Sequence, residues 1–209
     1  MAQQINGFFA GDLSATQTFG GCIDIFKNVW PDPAQTIEMI EQQVQDTNSG
    51  LYWDRAETID QGANQRQRTN DILYISELAE RRDNSACQNI HNQFRMLLIA
   101  ATSNYASKYG MHAPMYHEPY SLLKYEGGAE YKAHYDGTTD TGRCISALVY
   151  LNENYKGGEI EFPHFDLKIK PEVGMLILFP SNFAYTHIAH PVTEGTKYNL
   201  VTWIADRQI

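Results

Sequence analysis

After Gly110 the chain changes character, and that change limits the fold more than any other feature. Short runs of β-branched and aromatic residues follow one another, parted by Gly, Pro and Asn. They place strands near 118–125, 131–135, 143–151, 159–162, 167–170, 175–179, 185–191 and 197–205. About eight strands so closely spaced suit a sandwich or barrel.

The first half reads differently. Asp32-Pro33 is an N-cap followed by an N1 proline, and Ile37, Ile40 and Val44 recur at helical spacing, so a helix runs to roughly Gln45. A longer helix starts at Asn84 or Ser85 and stops at Gly110. Its stripe is Ile90, Phe94, Leu97, Leu98, Ala101 and Tyr105. Between the helices, residues 54–70 are polar and lack any period, which predicts a mobile loop.

A chain of 209 residues suffices for one sizeable core and is marginal for two, so a single domain is expected over 1–209. There is no apolar run long enough to span a bilayer, and no basic, then apolar, leader opens the sequence. Cys22, Cys87 and Cys144 are odd in number and form no CxxC, which suits buried thiols in a reducing compartment. Together these features predict a cytoplasmic protein with no membrane partner. With 25 acidic and 16 basic residues the formal charge is −9, which disfavours nucleic acid as a partner. A cationic peptide partner is compatible with that charge.

Chemistry concentrates in the strand-rich half. In an extended segment, residues i and i+2 share a side, so His134 and Asp136 can converge on one ion. A second imidazole from His187 or His190 would complete two His and one carboxylate, the facial set of non-haem Fe(II) oxygenases. Loop parity after Val192 decides which histidine shares a side with Lys197, and spacing alone leaves both open. The charges agree with such a centre. Fe(II) and Asp136 leave one positive unit, a dianionic oxo-acid over-compensates it, and Lys197 would meet the acid's far carboxylate. His91, His112, His117 and His164 have no partner at ligand spacing and are read as structural or surface residues.

The motifs run in a recognisable order. Glu118-x-x-x-Leu122-Leu123-x-Tyr125 leads to Gly127-Gly128 and Tyr131-x-x-His134-x-Asp136. Arg143, Ser146 and Tyr150-Leu151-Asn152 follow, then Gly157-Gly158-Glu159 and Phe162-Pro163. Pro171, Gly174 and Phe179 precede His187-x-x-x-Pro191-Val192-x-x-Gly195-x-Lys197 and Trp203. From Glu118 to Trp203 the chain resembles the catalytic domain of prolyl 4-hydroxylase-type 2-oxoglutarate- and Fe(II)-dependent dioxygenases. It departs from the pattern at Ile160, where threonine is usual, and at His190, where a small residue or cysteine is common.

The resemblance implies an α+β, mainly β fold: a double-stranded β-helix, or jelly-roll, core over about 116–209, with helical support from about 1–115. It implies His134, Asp136 and His187 as metal ligands, and Lys197, Tyr150 and Tyr125 as the 2-oxoglutarate site. Fe(II), O2 and the reductant ascorbate follow with it. Its activity would be hydroxylation of proline in a peptide or protein, with 2-oxoglutarate decarboxylated to succinate and CO2. Candidate substrate contacts are Arg66, Arg68, Tyr131, Arg143 and Trp203, and loop 54–70 is either a lid over a bound chain or a merely disordered polar loop. The rival readings are a same-fold oxygenase of a free amino acid or other small molecule, and a non-catalytic jelly-roll binding module. The oligomeric state is not legible.

Overall fold

Successive residues of a strand face opposite ways, and here both faces of the long strands are covered. The computed structural model describes residues 13, 16–56, 67–81, 84–111, 115–137 and 141–206. Its strands are β1 (Thr16–Phe19), β2 (Ile23–Phe26), β3 (Asp54–Arg55), β4 (Asp71–Leu73), β5 (Tyr116–His117), β6 (Ser121–Glu126), β7 (Tyr131–His134) and β8 (Arg143–Tyr150). Then come β9 (Lys156–Gly157), β10 (Ile160–Phe162), β11 (Leu167–Ile169), β12 (Leu176–Pro180), β13 (His187–Ala189), β14 (Val192–Glu194) and β15 (Thr196–Ala205). The helices are α1 (Pro33–Gln45), α2 (Ile75–Arg81) and α3 (Ser85–Tyr109).

The large sheet runs β1-β2-β12-β8-β15-β6-β4-β3, with β5 also paired to β15, and the small sheet runs β11-β10-β13-β7. In β8, Ile145, Ala147 and Val149 join the core beneath the helices, while Leu148 and Tyr150 join a second core between the sheets. Leu200 and Ile204 of β15 take the helix side, and Val201 and Trp203 take the other. Two cores thus sandwich one sheet, so its strands read as near-continuous apolar runs. Among the described residues no helix is long and apolar enough to cross a membrane.

Both long helices form where the caps place them. Asp32 accepts from the Gln35 N–H at 3.0 Å, and Asn84 accepts from the Cys87 N–H at 3.0 Å. Gly110 ends α3 in the left-handed region at φ 66°. Phe94, fully buried in α3, meets Trp30 edge-on at 6.2 Å and Tyr120 at 5.0 Å. Phe94→Ala is therefore expected to cost about 3–5 kcal/mol, read from the denaturant midpoint. A loss under about 1 kcal/mol would contradict this packing.

Three expectations need correction. The segment before 115 is more than helical support: β1 and β2 extend one side of the large sheet and β3 and β4 the other. These strands are short, and β2 (IDIF) is buried at every position, so its burial does not alternate.

Part of 54–70 is also ordered sheet rather than loop. β3 pairs with β4, and Arg55 bridges Asp71 at 2.9 Å. Residues 67–69 line the edge of β7, with Lys132 N–H donating to Gln67 O and Thr69 N–H to Glu130 O, both at 3.0 Å. Charge density hid this because backbone pairing is indifferent to exposed side chains. Residues 57–66 lie outside the described residues, as do Arg66 and His112.

Finally, 185–191 is not one strand beside 197–205. A short turn, Phe183–Tyr185, precedes β13, and Pro191, lacking an N–H, separates β13 from β14. β13 belongs to the small sheet, β14 pairs with β9, and β15 lies in the large sheet. Hairpin parity therefore has no bearing on which histidine faces Lys197.

Candidate metal centre

His134 ends β7 and His187 opens β13, directly opposite it in register. Asp136 follows the end of β7, where its own N–H and that of Gly137 both donate to Ser181 O. His134 Nε2 lies 3.6 Å from Asp136 Oδ1, and His187 Nε2 lies 3.7 Å from Asp136 Oδ2. The three side chains offer ligand atoms all within 4.8 Å of one another, and no other such group occurs among the described residues.

The tautomers are set by the backbone. His134 Nδ1 is 2.6 Å from Lys132 O, and His187 Nδ1 is 3.2 Å from Tyr185 O. A carbonyl only accepts, so each Nδ1 carries the hydrogen and each Nε2 keeps its lone pair for a cation. Burial, with His187 beside it, pushes the His134 imidazolium down to about 3, which leaves the ring neutral. Burial alone would raise Asp136, but His187, His134 and the Ser146 hydroxyl bring it below the usual carboxylate range. The Trp203 indole N–H pulls the same way, though it makes no hydrogen bond of proper geometry. Two neutral imidazoles and one carboxylate, presented on one side, fit a hard-to-borderline divalent ion with open positions.

The histidines are also held in place. Tyr131 stacks on His134 at 3.4 Å with 13° between the rings. Phe179 meets His187 edge-on at 4.9 Å. Arg68 sits 4.8 Å from the centre of the Tyr131 ring and donates to Asn70 at 2.7 Å. Arg143 forms a two-point pair with Glu118, at 2.7 and 2.6 Å, and covers Trp203 at 3.7 Å.

A cavity of about 700 Å³ opens onto these groups. Alternation along the large sheet selects its wall: Tyr125 from β6, Tyr150 from β8 and Lys197 from β15 all point inward. Lys197 is 2% exposed. Its ammonium donates to Gly158 O at 3.2 Å and lies 4.2 Å from the centre of the Tyr125 ring. No carboxylate among the described residues pairs with it. Burial, with Lys170 nearby, pulls its pKa down to about 7. Gly157 and Gly158, both at positive φ, let this backbone turn close against Pro191, whose carbonyl accepts from Gly158 N–H at 2.9 Å.

The structure thus brings His134, Asp136, His187, Lys197, Tyr150, Tyr125, Arg68, Tyr131, Arg143 and Trp203 to one cavity wall. His190 goes elsewhere: its Nε2 meets Glu161 Oε2 at 2.6 Å, and Lys168 shares that carboxylate at 2.9 Å. His91 and His117 bond Ser76 and Tyr120, and His164 bonds Ala184 O. Sequence reading passed over Ser181, because its role depends on a turn after β12 and not on any period. The cavity also exposes Tyr74 and Tyr135; no spacing rule flagged either.

The family model of the 2OG-Fe(II) oxygenase superfamily matches residues 120–205. A probable prolyl 4-hydroxylase 9 of Arabidopsis thaliana is 32% identical over 119 residues, covering 43% of this chain and 41% of that protein. The chain thus spans less than half the length of the curated relatives it first matches.

Among solved structures, a prolyl hydroxylase from Trichoplax adhaerens, in complex with a hypoxia inducible factor oxygen degradation domain peptide fragment, shares the fold. Its TM-score is 0.71 at 23% identity, over 90% of this chain and 84% of that one. A Pseudomonas putida prolyl-4-hydroxylase gives 0.62 at 20% identity, over 99% of both chains. Residues 120–205 thus match the 2OG-Fe(II) oxygenase superfamily model, part of the chain is similar to plant prolyl 4-hydroxylases, and the fold is shared with prolyl hydroxylases.

Proposed function

We propose that this protein hydroxylates proline in peptides or proteins, using Fe(II), 2-oxoglutarate and O2, with ascorbate as reductant. One observation carries the reading most directly: a buried lysine with no carboxylate partner among the described residues shares a cavity with a His–Asp–His cluster. An ammonium held away from water without a counter-ion is costly, and a bound carboxylate offsets that cost. The relatives' names point to proline as the residue modified.

In this reading His134, Asp136 and His187 hold the ion. Bound there, Fe(II) supplies the oxidation that couples loss of CO2 from 2-oxoglutarate to insertion of one oxygen atom into a substrate C–H bond. Lys197 holds the far carboxylate of the co-substrate, beside the hydroxyls of Tyr125 and Tyr150. The Nδ1–H bonds and the Tyr131 stack keep the imidazoles aimed, so little reorganisation is needed when the ion binds. The apolar wall, from Leu148 and Val201 to Ile160, excludes water that would otherwise quench an oxidising centre. No side-chain acid or nucleophile is required. Arg143 and Trp203 form a fixed polar and aromatic wall against which an extended peptide can lie. Three free thiols suit placement in a reducing compartment such as the cytoplasm.

A panel of proline-rich peptides and free amino acids separates the substrate classes. The expected result is a gain of one oxygen mass on proline in peptides, with free proline left unmodified. Hydroxylation of free amino acids alone would contradict the peptide reading.

A further inference from the structure

The support of Asp136 extends beyond its own strand. Ser146, fully buried on β8, has its hydroxyl 2.6 Å from Asp136 Oδ2 and 2.8 Å from the hydroxyl of Ser181. An ionised carboxylate can only accept, so the single hydrogen of Ser146 goes to Asp136. Ser146 then has only lone pairs to offer Ser181, and Ser181 must donate. The order is fixed: Ser181 O–H to Ser146 O–H to Asp136 Oδ2. Ser181 is 1% exposed, and its carbonyl accepts the N–H groups of Asp136 and Gly137, at 3.2 and 2.8 Å. One residue therefore grips both the backbone and, through Ser146, the side chain of Asp136.

We propose that Ser146 and Ser181 are positioning residues which present Asp136 to the metal through Oδ1. The relay occupies Oδ2, whereas Oδ1 accepts no hydrogen bond from a side chain among the described residues and lies 3.6 Å from His134 Nε2. A carboxylate held this way binds by one oxygen and leaves the ion's remaining positions to co-substrate and O2. Without the relay, the carboxylate can rotate and lose its aim or spread over two positions. The inference rests on the metal reading given above.

The test is calorimetric titration of the metal-free protein with Mn(II), beside the melting temperature of each metal-free variant. Ser146→Ala should weaken Mn(II) binding about 10- to 100-fold, the range for groups that orient a ligand. Ser146→Thr, which restores a hydroxyl, should recover most of it. Ser181→Ala should fall between wild type and Ser146→Ala, and it keeps the test usable where Ser146→Ala folds poorly.

Wild-type affinity in both alanine variants would overturn the relay while leaving the metal centre intact. Equal weakening in Ser146→Thr and Ser146→Ala, with matching losses in melting temperature, would show packing and not hydrogen bonding, and would also overturn it. Absence of Mn(II) binding by wild type would remove the metal reading and this inference together.

Discussion

His187→Ala should abolish turnover, while His190→Ala should leave it within a few-fold of wild type. Both residues are histidines three positions apart, so the contrast isolates geometry from composition. His187 Nε2 faces Asp136 at 3.7 Å from a buried position, with its Nδ1–H already engaged by Tyr185 O. Its removal takes away one of three donors, and with it several kcal/mol of metal-borne stabilisation, a loss of about 10³-fold or more in rate. His190 is bonded to Glu161 on the outer side of the small sheet. Its loss costs a surface pair worth at most about 1 kcal/mol. Steady-state succinate release under saturating Fe(II) checks both variants. Activity surviving in His187→Ala but lost in His190→Ala would overturn the assignment.

Lys197→Met should do two opposite things. The folded chain releases the Lys197 proton near pH 7, whereas the ordinary value is 10.5. Between those values the unfolded chain holds a proton that the folded chain lacks, so stability rises with pH across this window. Below pH 7 the buried charge carries its full penalty. Methionine removes that penalty, and the metal-free, co-substrate-free variant should be more stable at pH 6 by on the order of 1–4 kcal/mol. The gain should shrink as pH rises towards 10. Meanwhile the variant should lose the thermal stabilisation that 2-oxoglutarate gives the Mn(II)-loaded wild type. In wild type the lysine must be protonated to hold a dianion, so 2-oxoglutarate affinity should fall above pH 7, by up to about tenfold per unit. A Lys197→Met protein that is less stable at pH 6, yet still stabilised by 2-oxoglutarate, would show that Lys197 is a packing residue.

Much of this site was legible because it rests on period and caps. Asp32 and Asn84 marked their helices, since capping is a local transaction between a side chain and nearby N–H groups. The i, i+2 rule put His134 and Asp136 on one side, and charge balance singled out Lys197. What stayed hidden depends on contacts far apart in sequence. IDIF at 23–26 is too short to establish a period, and both its faces are buried. The pairing of 67–69 with β7 is a backbone matter that polar side chains disguise. The choice between His187 and His190 turned on strands in separate sheets, which hairpin parity cannot represent. Ser181 emerged only when β12 was laid beside β8, where Ser146 already faced inward.

Succinate release from 2-oxoglutarate by the Fe(II)-loaded protein, measured with and without a proline-containing peptide, tests the central claim most directly. The account predicts slow release alone, a marked increase with peptide, and one hydroxyproline formed per additional succinate. No 2-oxoglutarate turnover under any of these conditions would contradict it.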